Sequence, residues 1–412
     1  MLLTLVRGWT PIFFLHCGVW LLGASVSMAQ AEGLNINFTF DGGLDAWAIE
    51  PKQPDKPTNQ PNFRDGSAFD DHNSLLLPDA NTKWDYRSVS PWIRLTSSVR
   101  FSANSEANLK LRADQLMGVR LDAANIEWAP SPYLGLRAGV VSFNTNWCRT
   151  YDVDSPWIME PDVFCRNRVY MNISNAAPGL QVYTNTALSE YQLQAILGAY
   201  NPMILDYATK EFGFNTTALR PNFTFDSNQK ISVALNFLHL NTGTQVRLGM
   251  MRSDQAGSYS PKLIRDDRDR RNLLDNYYLG IDTYLRSSLR ARYSLSLFAS
   301  RDYYDGVQVV TDQNKSQTLE LIYEWKSTDI FSVGWSRFKI NAAVDDVAFA
   351  NFKADDYFYA DTSILTMAWR RQWGKGIYSA LQWTQSTQTN GYEGRRRPGS
   401  GEALGLRMGY QY

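Results

Sequence analysis

The feature that most constrains this chain is an alternation of apolar and polar residues with period two, repeated along nearly its whole length. At the C-terminus Leu404, Leu406, Met408, Tyr410 and Tyr412 fall on one set, and Gly405, Arg407, Gly409 and Gln411 on the other. Residues 191–199 do the same, as do Ile231/Val233/Leu235/Phe237 and Leu319/Leu321/Tyr323/Trp325. Successive side chains of a strand point to opposite faces, so this period reads as strands with one apolar face each. After residue 31 no segment holds apolar residues at helical spacing for three turns.

About sixteen such runs can be traced, from 36–40 to 404–412, with boundaries good to a few residues. The connections between them sort by parity. Short ones (103–108, 129–133, 187–190, 241–244, 286–291, 326–330, 372–376) alternate with long ones (41–91, 142–179, 200–230, 252–276, 301–317, 341–363, 385–403). Only 115–118 is short where a long one is due. An up-and-down barrel through a membrane has tight turns on one rim and long loops on the other, whereas a sandwich has no reason to sort its loops. The expected fold is therefore all-β, a transmembrane antiparallel up-and-down β-barrel of about sixteen strands, with fourteen or eighteen as alternative counts. Eighteen follows if 212–225 is a hairpin rather than part of a loop.

Composition fits this reading. The 20% of charged residues excludes a polytopic helical membrane protein, and 13% aromatics argues against extended disorder. The 41 basic and 41 acidic side chains lack the basic excess that a nucleic-acid partner needs. A barrel strand offers one face to lipid and one to water, so half its positions can be polar. Its aromatics gather at the two interfaces; candidates are Trp92, Trp128, Tyr133, Tyr191, Tyr277, Tyr293, Trp325, Trp335, Trp369, Trp383 and Tyr410.

The N-terminus reads as an address. Arg7 precedes an apolar run at 11–22, and Ala29-Gln30-Ala31 fits a small-residue cleavage site, so 1–31 is expected to be a cleaved signal peptide and 32–412 the barrel. The run falls short of the roughly 20 residues that a helical anchor needs. Removal of Cys17 with it leaves Cys148 and Cys165, which in an oxidising compartment read as a disulfide. Two thiols without neighbouring histidines make a poor zinc site, and no cofactor or metal is expected.

The signal peptide, the strand rhythm and the terminal GLRMGYQY of 405–412 together resemble the Gram-negative outer-membrane porins. The 124–139 stretch ANIEWAPSPYLGLRAG is also similar to porin hairpins. The resemblance implies residence in the cell outer membrane, among its lipids and lipopolysaccharide. It also implies an assembly signal at Tyr410 and Tyr412, read by the barrel-assembly machinery, with Tyr412 where the family usually ends in Phe. General porins form homotrimers through a second loop; 115–118 is too short to reach far, so monomer and trimer both stay open.

In porins the third loop folds into the barrel and narrows it. Here that connection, 142–179, carries Asp152, Asp154, Glu160 and Asp162, and lacks the porins' usual Pro-Glu-Phe-Gly-Gly stretch. A Cys148–Cys165 bridge would staple it, closing a ring worth about 3 kcal/mol in the chain-entropy model. Alternation places Arg94, Arg100, Lys110, Arg112, Arg120 and Arg137 inward, with Arg247, Arg292, Arg337, Lys339, Arg370 and Arg407. Inward acids are fewer: Asp114, Asp122, Glu127, Asp282, Glu320 and Glu324.

The expected function is a channel for passive or substrate-biased diffusion of small polar solutes. A basic wall favours anions; loop carboxylates that neutralise it leave little selectivity. A barrel-anchored surface adhesin or structural protein is the alternative, and an outer-membrane lipid hydrolase comes last. Downstream of residue 31 the histidines are His72 and His239, and no metalloprotease, serine-hydrolase or phosphate-loop motif occurs. Outer-membrane phospholipases carry a serine two residues after an outward histidine, where this chain has Asn241. The 265–271 run RDDRDRR is a mixed-charge external segment, able in principle to meet lipopolysaccharide phosphates. The 41–91 connection, rich in Pro, Asp and Asn, reads as a long external loop or a small folded module.

Overall fold

The structure, a computed structural model, describes residues 35–52, 86–114, 118–142, 155–158, 161–162, 176–200, 204–205, 219–220, 228–256, 270–304, 307–344, 357–392 and 395–412. The expected signal peptide, Cys148, Cys165 and the 265–269 part of the charged run lie outside the described residues. The strands are β1 (Asn35–Lys52), β2 (Tyr86–Ser102), β3 (Ser105–Asp114), β4 (Gly118–Ser131), β5 (Leu134–Ser142), β6 (Ala176–Leu188) and β7 (Tyr191–Tyr200). There follow β8 (Ile204–Leu205), β9 (Leu219–Arg220), β10 (Asn228–His239), β11 (Thr244–Ala256), β12 (Arg270–Arg286) and β13 (Leu289–Tyr304). The chain ends with β14 (Val307–Trp325), β15 (Asp329–Val344), β16 (Tyr357–Gly374), β17 (Ile377–Tyr392) and β18 (Arg395–Gln411).

Sixteen of these form one closed barrel; β8 and β9 pair only with each other, so β7 runs directly beside β10. Every barrel pair is antiparallel, and β1 pairs with β18 over Asp41–Lys52 and Ser400–Gln411 to close the ring. Phe40 and Tyr412 exchange backbone hydrogen bonds of 3.0 and 2.8 Å, which carries the seam to the last residue. Closure leaves no row of unpaired amides, which hydrocarbon could not solvate.

The alternation sets the polarity of the wall. Leu235, Leu248, Leu319, Leu321, Val333, Leu381, Leu404 and Leu406 are exposed outward, while Ser232, Asn276, Ser296, Thr318, Ser336, Thr366 and Gln382 are buried inward. An exterior of this kind cannot face water at such width, and fits hydrocarbon. No helix among the described residues is long and apolar enough to cross a membrane.

Several expectations need correction. The 301–317 and 385–403 intervals are mostly strand: β13 and β14 are separated only by 305–306, and β17 and β18 only by 393–394. Likewise β1 continues to Lys52 and β2 starts at Tyr86, which shortens the first long connection to 53–85. Strands of 16 to 19 residues from β12 to β18 exceed the roughly 9–11 that hydrocarbon requires. Beyond the hydrocarbon both faces are polar, so the apolar alternation fades while the hydrogen-bond ladder continues.

Trp92 is buried inward rather than set in a girdle. Arg337 and Lys339 share their alternating set with exposed Phe331, Val333 and Trp335, so they face outward, where both meet Asp361. Strict alternation also cannot place Arg120 and Glu127 on one face. A bulge at Lys110/Leu111, which leaves Asp122 unpaired with β3, does so: Arg112 stands opposite Arg120, and Glu106 opposite Glu127.

The seam is also tightly packed. A β-carbon at Gly43 would lie 2.0 Å from the Met408 carbonyl oxygen and 2.8 Å from Gly409 Cα. Gly43→Val is expected to destabilise the barrel by about 1–3 kcal/mol or more, since the added carbons meet backbone. Loss of the compact, fast-migrating band on unheated gels measures it; Leu44→Val, exposed on the same strand, should keep that band.

Candidate functional site

The lumen has two unlike walls. On β13 to β15 the middle of the inward rows is small and hydroxylated: Ser294, Ser296, Ser316, Thr318, Ser332, Gly334 and Ser336 are all buried. Into the space they leave comes part of the 142–179 connection, of which 155–158 and 161–162 are described. Trp157 is only 1% exposed, and its indole N–H donates to Glu320 Oε2 at 3.0 Å. The Ile158 amide donates to Gln382 Oε1 at 2.8 Å, and its carbonyl accepts from Arg407 at 3.4 Å. Asp162 accepts from Ser294 at 3.0 Å and from Ser316 at 3.1 Å. A β-carbon on Gly334 would stand 2.6 Å from Pro161, so glycine there gives the segment its seat.

Glu320 belongs to a charged chain along this wall. Arg292 donates to it at 3.0 Å and to Asp282 at 3.2 Å, and Arg290 grips Asp282 through bonds of 2.5 and 2.7 Å. Burying these ions is tolerable because each is paired and hydrogen-bonded. The expected pore-lining Glu320 is thus a support for the inserted segment. Glu324, four residues on in the same inward set, is exposed.

The facing wall, β2 to β7, carries larger polar groups. Arg137 donates to Glu127 Oε2 at 2.7 Å and lies 4.5 Å over the Tyr183 ring, whose hydroxyl also donates to Glu127. Gln181 and Ser232 each stand 2.8 Å from the Tyr200 hydroxyl. A ladder of amides then runs across β6, β7, β10 and β11: Gln194 donates to Asn185, Asn236 to Gln194, and Arg247 to Asn236 at 2.6 Å.

At the seam, Arg94 donates to Asp41 Oδ2 at 2.5 Å, and the Tyr378 hydroxyl donates to Asp41 Oδ1 at 2.9 Å. Arg407 holds Asp45 through two bonds of 2.7 Å and lies 4.5 Å over the Trp92 ring. Arg100 reaches Glu106 only at 3.7 Å, and Lys110 is exposed. Arg94, Arg112 and Arg120 stand opposite one another along one register row.

The nine expected pore-lining residues therefore fall on inward rows, Arg112 and Arg120 by register alone. Of the expected loop acids only Asp162 is described; Asp152, Asp154 and Glu160 lie outside the described residues. Tyr410 and Tyr412 are exposed at the seam terminus.

Sequence reasoning missed Asp41, Asp45, Trp157, Tyr378 and Gln382. The first two were legible, because the Phe38/Phe40/Leu44 alternation continues past Phe40 and puts both aspartates inward. The long-range partners of Trp157 carry no sequence signal, although the hydroxyl-rich inward rows of β13 to β15 hint at a wall that accommodates something.

His239 stands on the outward set and packs 4.9 Å from the Tyr191 ring. Its Nδ1 is 2.7 Å from the Thr242 hydroxyl, and its Nε2 is 3.5 Å from Glu190. Thr242 continues to Thr244 and Thr283 through bonds of 2.8 and 2.7 Å, so the hydroxyl chain ties the turn to β12.

No protein-family model matches the sequence, and no curated protein matches it. Solved structures do. A loop-deletion form of OmpT, an outer membrane protein of Vibrio cholerae, superposes with a TM-score of 0.52 at 8% identity, covering 92% of this chain and 99% of that one. OmpT in a trimer form gives 0.52 at 8% identity, over 92% and 99%. An anion-selective porin from Comamonas acidovorans gives 0.51 at 9% identity, over 92% of this chain and 100% of that one. The chain has the fold of the outer-membrane porins, a closed and wholly antiparallel barrel of sixteen strands.

Proposed function

We propose that this barrel sits in an outer membrane and lets small polar solutes diffuse through its lumen, with a preference for anions. The observation that carries the reading is the segment 155–162, whose described residues are pinned by side chains of β13, β14, β17 and β18 inside the ring. A lumen filled by side chains from all sides would need no such insert. One partly occupied from a single wall keeps a passage along the other.

The preference for anions rests on how the charges are spent. Arg94, Arg137, Arg292 and Arg407 are each committed to a carboxylate at 3.0 Å or less. What remains is local: Lys110 is exposed on β3, and Arg112 stands opposite Arg120 two residues on in the β3–β4 ladder. Across from that patch stand Asp162 and Glu320. A cationic strip facing acids orients polar solutes and lowers the barrier to anions.

Purified protein in a planar bilayer should give discrete conductance steps, and none at all would remove the channel reading. Gly334→Leu, which displaces Pro161 and Trp157 from their seat, is expected to raise the step size by roughly half and make it noisier. In a salt gradient the reversal potential should show anion preference, and Lys110→Glu should reduce the anion-to-cation permeability ratio by roughly two-fold or more. A cation preference in the unaltered protein would overturn the proposed bias.

A further inference from the structure

On the outer wall, across β13 to β17, a groove of about 400 Å³ opens between Leu321, Tyr323, Phe331, Val333, Met367 and Trp369. That volume lies within the range of about 300–1,000 Å³ typical of small-molecule sites. Its lining is almost wholly apolar, on a face that already meets hydrocarbon. Trp325, Phe331 and Trp369 form a row at its short-turn end, with ring centroids 6.2 and 6.4 Å apart.

Cations cap this end. Lys326 holds its ammonium 5.1 Å over the Trp325 ring, and Arg371 lays its guanidinium 4.6 Å over Trp373. Lys375 stands in the next turn and is exposed. The acid beside them is Asp329, which accepts from the Trp369 indole at Oδ1 and from the Thr328 hydroxyl at Oδ2, both at 2.9 Å. Arg371 is 3.9 Å from Asp329, beyond hydrogen-bond reach, and 43% exposed. Its donors therefore point to the medium.

The backbone marks the same place. Lys326 and Ser327 both have φ of 54°, and Lys375 has φ of 48°. Left-handed turn positions suit Asn and Gly, and β-hairpins use those residues there. Two neighbouring turns, those after β14 and β16, instead hold a lysine in that conformation.

We propose that this groove binds one phospholipid with an anionic headgroup from the leaflet on the short-turn side. An acyl chain would lie between Leu321, Val333 and Met367, and the phosphate would sit among Lys326, Arg371 and Lys375. The aromatic row sets the depth, since Trp and Tyr settle at the boundary between chains and headgroups. The cations then meet the phosphate from outside the hydrocarbon, where each contributes about five-fold in affinity, or about 1 kcal/mol. The proposal rests on the barrel's membrane placement but not on conduction, because none of these residues faces the lumen.

The test is native mass spectrometry of the full chain in detergent, titrated with phosphatidylglycerol or with phosphatidylcholine of the same acyl chains. The unaltered protein should retain one phosphatidylglycerol at concentrations where phosphatidylcholine is lost. The triple variant Lys326→Gln, Arg371→Gln, Lys375→Gln should bind phosphatidylglycerol at least ~10-fold more weakly. Met367→Trp, which fills the groove, should bar both lipids. Single-channel conductance should stay unchanged in all variants, so failed conduction and failed lipid retention are separate results. Equal retention of both lipids, unaffected by the triple variant, would overturn the site. So would a stable dimer that Met367→Trp dissociates, which would show a second copy in the groove.

Discussion

The ladder between β1 and β18 is the interaction on which the rest depends. Each amide left unpaired in hydrocarbon costs several kcal/mol, because no water is present to replace its partner. The other fifteen strand pairs join neighbours along the barrel order, but this one joins the two ends of the chain, pairing Asp41 with Gln411 and Lys52 with Ser400. Close backbone packing and buried ion pairs both support it. Gly43 meets Met408 and Gly409 with no room for a side chain, and Asp41 and Asp45 bind Arg94 and Arg407 from inside. Tyr378, set against Asp41, extends that knot into β17.

Closure decides which face is wet, and the wet face then decides what can be stored inside. A β-strand cannot be both narrow and voluminous on one side, so an insert needs a wall of small residues. The serines and threonines of β13 to β15, with Gly334, make that wall. Trp157 is then held by Glu320, and Glu320 is held by Arg292, so the insert is fixed by a chain of paired charges rather than by hydrophobic burial alone. Hydroxyls on Ser294 and Ser316 both donate to Asp162, which ties the insert to β13 and β14.

Most of the architecture was legible from alternation, because hydrocarbon imposes it on every crossing: the outward Leu319/Leu321/Tyr323/Trp325 set lies as the sequence reads. Legibility ended where that constraint ends. Towards the long-loop end of β15, Arg337 and Lys339 sit on the outward face beside Asp361, and a rule that assigns charges inward fails there. At Asp122 a bulge shifts the register by one, which alternation alone cannot register. Trp92 was read as interfacial from its residue type, yet it lies under Arg407, where a ring face stabilises a buried cation. The contacts of Trp157 with Glu320 and of Asp162 with Ser294 and Ser316 span more than 130 residues, and nothing local encodes them.

Charge has different work on the two surfaces of one wall, and the geometry separates them. Inside, Arg94, Arg137, Arg292 and Arg407 are each matched to a carboxylate. Outside, at the short turns, Lys326 and Lys375 occupy left-handed positions and Arg371 stands 3.9 Å from Asp329. A cation that only needed to be soluble would not require a strained backbone or a ring beneath it. Aromatic faces hold these groups at a fixed depth, and fixed cations at a hydrocarbon edge complement an anion whose own tails are apolar.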